Sequence, residues 1–358
     1  MTGANRMSTP LLRWGIIGTG HIARRFAGDL RHSSTGRLVA VGSRDASRAW
    51  GFSAEFGAGI AADETAKILA RDDVDAIYVG TINRAHAPIA LAALEAGKPV
   101  LVEKPLAPTL AEAEAIRETA AARGLLAMEA MWMVFTPGIA RLKSLLAEGA
   151  VGEPRMLSAN LSYARNYHPD LDLFDAETGG ALLDLGVYPI ALALHLFGPA
   201  DETAAIAERN DAGSLRQAAL VTRHGKVLTK LSCGFETEGP NGATVSGERG
   251  RIALAGPFFC PPLLMLHRHV AGTSLDSRHD VSSHGSANGD DDASGATSGP
   301  AAPSPKAETF ETPYVGSGLQ YQADHFAECL RAGLTQSPVH PLSASVAALE
   351  VIARAARR

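Results

Sequence analysis

The sequence predicts an α/β protein in two parts. Residues 11–131 form a doubly wound parallel sheet, and residues 132–358 an α+β domain with a large, mainly antiparallel open sheet. Three observations carry this prediction. Short apolar runs alternate with helical patterns through residue 131, as in a parallel sheet covered on both faces. A glycine-rich turn joins the first run to the first helical pattern. Beyond Trp132 the runs become alternating strands joined by hairpin signals. A chain of 358 residues is also too long for one small core.

In chain order, WGIIGTG is a strand entering the glycine turn, and RLVAVGS is a second strand followed by the helix SRDASRAWGFSAEFG. DAIYVGT is a third strand, and HAPIALAALEAG a helix closed by Gly97. KPVLVEKP is a fourth strand. TLAEAEAIRETAAARG is a helix with a capping box, Thr109 to Glu112, that ends at Gly124. LLAMEAMW is a fifth strand. The second half starts with the helix TPGIARLKSLLAEGAVG and the half-buried strand RMLSANLSY. TGGALLDLGVYPIALALHLFG is a glycine-led helix ended by Gly198. Two hairpins follow, one turning at His224-Gly225 and the other near Arg249-Gly250. Residues 275–305, rich in Ser, Gly, Asp and Pro, read as a disordered insertion whose Asp and His residues belong to a solvated loop. The chain ends in the helix LSASVAALEVIARAARR.

Composition narrows the function. The formal charge is −5, with no block of Lys or Arg, which argues against nucleic acid and anionic membranes as partners. No apolar run is long enough to span a bilayer. The start, MTGANRMSTPLLR, lacks a signal-peptide pattern, so a cytoplasmic location is expected. Cys233, Cys260 and Cys329 are far apart and form no CxxC pair, which fits free thiols and argues against a metal site.

The turn GTGHIA, Gly18 to Ala23, carries the first chemistry. Gly18 permits a tight turn, Gly20 lets the backbone approach a pyrophosphate, and Ala23 lets helix pack on strand. A phosphate then meets the helix N-terminus, so Gly18, Thr19, Gly20, His21 and Ile22 are assigned to dinucleotide binding. At the end of the second strand an NAD protein would carry an acid for the ribose 2′-OH. Here Ser43 and Arg44 occupy that place, and a hydroxyl with a guanidinium suits a 2′-phosphate. NADP is the expected cofactor. NAD stays possible, with Asp45 as the competing ribose ligand.

VLVEKP puts Glu103 and Lys104 at the carboxyl end of a strand, where ligands bind in such sheets. Adjacent strand residues point to opposite faces, so the two need not pair. Pro105 restricts Lys104 to extended geometry. In the second half, Asn160 on its first strand and Arg165 just after it are read as facing the substrate.

GTGHIA, TINRAHAPIALAALEAGKPVLVEKPLAPT and GGALLDLGVYPIALALHLFG together resemble the glucose–fructose oxidoreductase / inositol dehydrogenase / MocA family. MEAMW, GGALLDLGVYP and GPFFCPP are most similar to its dimeric dihydrodiol dehydrogenase and NADP-dependent D-xylose (aldose) 1-dehydrogenase branches. Tyr188 stands where many members have histidine, which lowers an inositol or polyol reading. The resemblance implies a Rossmann domain followed by a sheet domain that forms a homodimer or higher oligomer. It also implies a cis Lys104–Pro105 bond that aims the lysine, and cofactor contacts from Thr81, Asn83, His86, Glu103 and Lys104. Its implied catalytic set is Lys104, Asp184 and Tyr188, with Trp132 lining the pocket. The activity implied is NADP-dependent hydride transfer at a hydroxyl or carbonyl carbon of a sugar or trans-dihydrodiol. A non-catalytic NADP sensor of the same fold is the alternative. A free tyrosine titrates near pH 10, so Lys104 is expected to lower the pKa of Tyr188 and make it a base.

Overall fold

A computed structural model describes residues 10–269 and 307–357. The expected insertion at 275–305 lies outside the described residues.

The first half is a six-stranded parallel sheet. Its elements are β1 (Leu12–Ile17), α1 (His21–Asp29), β2 (Gly36–Gly42), α2 (Ala46–Phe56), β3 (Ile60–Ala62), α3 (Thr65–Leu69), β4 (Ala76–Val79), α4 (His86–Glu95), β5 (Val100–Glu103), α5 (Leu110–Arg123) and β6 (Ala127–Ala130). The strand order is β3-β2-β1-β4-β5-β6, which reverses direction between β1 and β4. That reversal opens a crevice at the carboxyl ends of the strands. The predicted strands are all present, and β4, β5 and β6 are buried throughout, as their continuous apolar runs require. α5 carries the predicted capping box and closes at Gly124 in the left-handed region. The short β3 was not predicted, because three alanine-rich residues give no strand period.

A 3₁₀ turn (Trp132–Phe135) leads into the second half. There α6 (Pro137–Ala147), β7 (Pro154–Ser162), a π turn (Leu182–Gly186) and α7 (Val187–Phe197) come first. They are followed by β8 (Glu202–Arg209), β9 (Leu215–His224), β10 (Val227–Gly234), β11 (Ala243–Gly247), β12 (Gly250–Leu254), β13 (Leu263–Arg268) and β14 (Glu308–Glu311). These strands form one eight-stranded sheet, ordered β14-β13-β12-β11-β7-β10-β9-β8. All neighbours are antiparallel except β7 and β10, which run parallel at its centre. Both predicted hairpins form, with loops at Gly225-Lys226 and Glu248-Arg249.

Among the described residues, helices cover one face of this sheet and leave the other open. Leu157, Ala159 and Leu161 of β7, and Leu231 and Cys233 of β10, turn toward the helices and are buried. The opposite face carries Met156, Ile206, Val221 and Leu228, all exposed, with Ile206 reaching 77%.

The last two helices, α8 (Gln320–Arg331) and α9 (Leu342–Ala356), tie the halves together. Asp29 of α1 accepts the backbone N–H groups of Ser317 and Leu319 before α8. Asp324 of α8 accepts the hydroxyls of Ser33 and Thr35. α9 lies against α5 and β6 of the first half and against α7 and β8 of the second. The Lys104 segment therefore faces the π turn across a fixed seam.

Candidate active site

The glycine turn has the geometry that a dinucleotide needs. Gly18 has φ 111°, and a Cβ there would lie 2.3 Å from the Gly80 carbonyl oxygen of β4's exit, so only glycine fits. Gly20 caps α1 without any side-chain bond, and a Cβ built on it would meet nothing within 4 Å. Open space thus stands in front of an uncapped helix N-terminus, where a pyrophosphate can approach the backbone. Ala23 is fully buried against Gly80, giving the close packing of helix on strand. His21 is exposed and Ile22 half-buried at the helix start.

At the end of β2, Ser43 Oγ lies 3.5 Å from Thr19 Oγ1, so these two hydroxyls line one corner beside the glycine turn. Arg44 next to them is exposed. Asp45 is occupied elsewhere: its carboxylate caps α2 by accepting Arg48 N–H at 3.1 Å. Among the described residues, the Ser43 hydroxyl and the exposed Arg44 guanidinium, rather than an acid, stand at this end of β2.

The chemistry converges at the end of β5. Lys104 Nζ donates to Asp184 Oδ1 at 2.9 Å and to the Asp184 carbonyl at 2.8 Å. Asp184 Oδ2 accepts Arg165 at 3.0 Å. Pro189 has no N–H to offer the turn before it, and the ammonium takes the Asp184 carbonyl instead. Gly186 lets the π turn approach β10, where any Cβ would come within 2.9 Å of Cys233 Sγ. The ammonium sits 5.1 Å from the centroid of the Tyr188 ring. Trp132 Nε1 donates to the Tyr188 hydroxyl at 3.0 Å. Lys104, Asp184, Tyr188, Trp132 and Arg165, five residues from four segments, thus form one cluster. The Lys104–Pro105 bond is cis.

Electrostatics set the protonation states. Burial works against the Lys104 ammonium, but Asp184 outweighs it and holds the lysine charged far into the alkaline range. Burial likewise opposes the Asp184 carboxylate, and Lys104 and Arg165 overcome it. Tyr188 departs from expectation. Lys104 does pull its pKa down, but burial is the larger effect and leaves the phenol above its ordinary value. At neutral pH Tyr188 carries its proton.

Several other predicted residues have different positions from those expected. Glu103 does not face the crevice: it is buried, accepting the Tyr78 hydroxyl at 2.5 Å and Lys104 N–H at 3.2 Å. Burial lifts its carboxyl to about 7. His86 is also buried, with Nδ1 2.8 Å from the Pro105 carbonyl and Nε2 3.3 Å from the Thr81 carbonyl. Burial lowers its pKa, so the ring is neutral, and the shorter contact puts the proton on Nδ1. Its Nδ1–H grips the lysine segment through the Pro105 carbonyl, and the ring lies inside the fold. Asn83 donates to the Thr178 carbonyl at 2.8 Å, bridging the two halves, and Thr81 is half-buried at the exit of β4. Asn160 lies on the uncovered face of the second sheet, bonded to Ser232 at 2.9 Å and Ser162 at 3.1 Å, and is outside the cluster.

Three residues were missed. Phe259 packs on both Trp132 and Tyr188, with ring centroids 5.4 and 5.3 Å apart, and GPFFCPP was its signal. Glu129 and His340 form a buried pair 2.9 Å apart beside the lysine segment, and nothing local in the sequence joins them. Among the described residues, no group of three or more His, Cys, Asp or Glu could hold a metal ion, and no helix is long and apolar enough to cross a membrane.

Comparison with known proteins agrees with this geometry. Residues 12–131 match a family described as an oxidoreductase family with an NAD-binding Rossmann fold, and residues 139–253 match the GFO/IDH/MocA C-terminal domain. The chain is 31% identical over 340 residues to human trans-1,2-dihydrobenzene-1,2-diol dehydrogenase, covering 93% of this chain and 92% of that protein. It is 36% identical over 279 residues to dTDP-3,4-didehydro-2,6-dideoxy-alpha-D-glucose 3-reductase of Streptomyces antibioticus, covering 75% of this chain and 84% of that one. Among solved structures it is similar to a 3-ketoreductase from Actinomadura kijaniata in complex with NADP and TDP-benzene, with a TM-score of 0.77, 28% identity, and 96% and 97% of the two chains covered. The parallel sheet with its uncapped glycine turn, the eight-stranded second sheet and the end-to-end likeness to these enzymes place the chain in the GFO/IDH/MocA family, as an NAD(P)-dependent oxidoreductase.

Proposed function

We propose that the protein is an NADP-dependent oxidoreductase that moves hydride to or from a hydroxyl or carbonyl carbon of a sugar or trans-dihydrodiol, with Tyr188 handling the proton. The observation that carries this reading is the Lys104 ammonium, fixed by both oxygens that Asp184 offers it and lying under the Tyr188 ring. The relatives' substrates, a dihydrodiol and a nucleotide-linked deoxysugar, supply the substrate class.

Gly18, Thr19, Gly20, His21 and Ile22 would hold the pyrophosphate half of NADP, and Ser43 with Arg44 its 2′-phosphate. The bound nicotinamide supplies or accepts the hydride. Trp132 has only a donor to give, so the Tyr188 oxygen accepts from it and keeps its own proton free for the substrate oxygen. As a neutral phenol Tyr188 is an acid, and at neutral pH it serves carbonyl reduction. In the oxidative direction it must first lose that proton, and Lys104 and the Trp132 N–H both favour the phenolate. Lys104 remains an ammonium and stabilises negative charge as it develops on the substrate oxygen. Asp184 and Arg165 fix the lysine and are positioning residues. A cavity of about 580 Å³ beside Arg165, lined also by Asn166, Tyr167, Arg216, Phe235 and Glu236, offers amides, charges and aromatic rings to the rest of a polyhydroxylated substrate. The exposed apolar face of the second sheet supports a homodimer formed face to face.

The central test follows NADP reduction or NADPH oxidation across aldoses, trans-dihydrodiols and the corresponding ketones. Turnover on this panel supports the reading. Tyr188→Phe should then lose about 10²–10⁴ in kcat, the range of general acid–base catalysis, with NADP affinity unchanged; wild-type turnover in that variant removes Tyr188 from the mechanism. The pH dependence has a definite sign. Oxidation needs the phenolate, so its kcat/KM should still be climbing above pH 9, while reduction stays level through neutrality; an oxidative limb that levels off near pH 7 contradicts a raised tyrosine pKa. Arg44→Glu should weaken NADP binding about tenfold or more and spare NAD, as expected for a lost charge-assisted contact; equal losses for both cofactors would move the 2′-phosphate elsewhere. Ile206→Asp should convert a dimer to a monomer in sedimentation velocity, and an unchanged mass would take the open face out of the assembly.

A further inference from the structure

The segment carrying Lys104 is gripped at three consecutive residues, Lys104 to Leu106. Glu103 accepts Lys104 N–H, and its own second oxygen is fixed by Tyr78. His86 takes the Pro105 carbonyl. Glu129, from β6, accepts Leu106 N–H at 2.8 Å through Oε1. Its Oε2 faces His340 Nε2 at 2.9 Å, and Ser345 Oγ lies 3.2 Å from the same nitrogen. Glu129 and His340 are 2% and 3% exposed. Burial opposes the Glu129 carboxylate, and bonds from His340, Ser345 and Leu106 keep it charged.

We infer that Glu129 and His340 are a positioning pair for the catalytic lysine, a role that rests on Lys104 acting as proposed above. Glu129 has two oxygens and divides them. One holds the backbone two residues beyond Lys104, and the other is held by a side chain 211 residues further along the chain. His340 sits just before α9, whose N-cap is Pro341. α9 packs against α7, the helix that bears Tyr188. The pair therefore fixes the lysine segment to the layer that carries the other half of the site. Satisfying one buried acid would need no link to Leu106. Holding an ammonium under a tyrosine ring does need it, because a misplacement of about 1 Å can cost about 10²-fold in rate.

The test compares His340→Ala, which removes the donor, with His340→Gln, whose amide can replace it at the Nε2 position. NADP binding and thermal melting establish that each variant is folded. The first readout is the rate at which an amine-reactive reagent labels Lys104 in the cofactor-free protein, measured by peptide mass spectrometry. It requires no substrate. His340→Ala should speed labelling several-fold, and His340→Gln should return it toward wild type. With a working substrate, His340→Ala should lower kcat by about 10–10² while KM and the NADP Kd stay within about twofold. Where His340→Ala fails to fold, Glu129→Gln takes its place, with faster labelling again expected. Folded variants with wild-type labelling overturn the inference, and so does equal impairment in His340→Ala and His340→Gln, which would make the role one of packing alone. A wild-type protein that turns over nothing on the panel, while labelling follows this pattern, defeats the proposed activity and its catalytic lysine and leaves standing only that the pair holds the Lys104 segment in place.

Discussion

One buried cation organises the molecule. An ammonium taken out of water must be compensated by partners of good geometry, or it sheds its proton or unfolds its surroundings. Lys104 comes from the first half and its compensating carboxylate, Asp184, from the second, so the two halves must meet at this point. Lys104 takes one carboxylate oxygen of Asp184, and Arg165 donates to the other. The turn that presents Asp184 opens into a π segment, and Pro189 withholds a donor, so a backbone carbonyl is also free for the lysine. The same turn carries the chain directly into Tyr188. Charge compensation and the placement of Tyr188 are thus met by a single seven-residue stretch, Leu182 to Tyr188.

How much of this was legible depends on the range over which each signal acts. The strands of the first half were visible because strands covered on both faces are apolar throughout, and the glycine turn because each small residue answers a local steric demand, as Gly18 does against Gly80. β3 and β14 were not visible, since three or four residues cannot display a period, and β8 was hidden by its alanines. Lys104, Asp184 and Tyr188 came from motif and resemblance together. Asn160 was misplaced although the signal was present: Leu157, Ala159 and Leu161 fix the inward face of β7, and an even-numbered neighbour must then point outward. The Glu129–His340 pair is a different case. Its members are far apart in sequence, and only the packing of α9 brings them together.

The clearest divergence concerns the tyrosine, and it is instructive about sequence reasoning on pKa. A lysine near a phenol was enough to predict a lowered value, because opposite charges attract at any separation the fold permits. Burial carries no such local mark. Tyr188 is packed by Trp132 and Phe259, and these rings remove the water that a phenolate needs. Two physical effects of opposite sign act on one group, and the aromatic wall is the stronger.

That balance bears on which direction of reaction the site favours. A donor-only indole at the tyrosine oxygen leaves the phenolic proton pointing away from Trp132, and in the proposed reaction the substrate oxygen takes that proton beside Lys104. A carbonyl oxygen there would meet a proton donor and a fixed positive charge together, and both stabilise the negative charge that grows on it as hydride arrives. An alcohol entering the same place meets a base that is still protonated. The permanent charge of Lys104 and the raised pKa of Tyr188 therefore act in concert for reduction and in opposition for oxidation. On the role proposed for Tyr188, carbonyl reduction is favoured at neutral pH and alcohol oxidation as the medium turns alkaline.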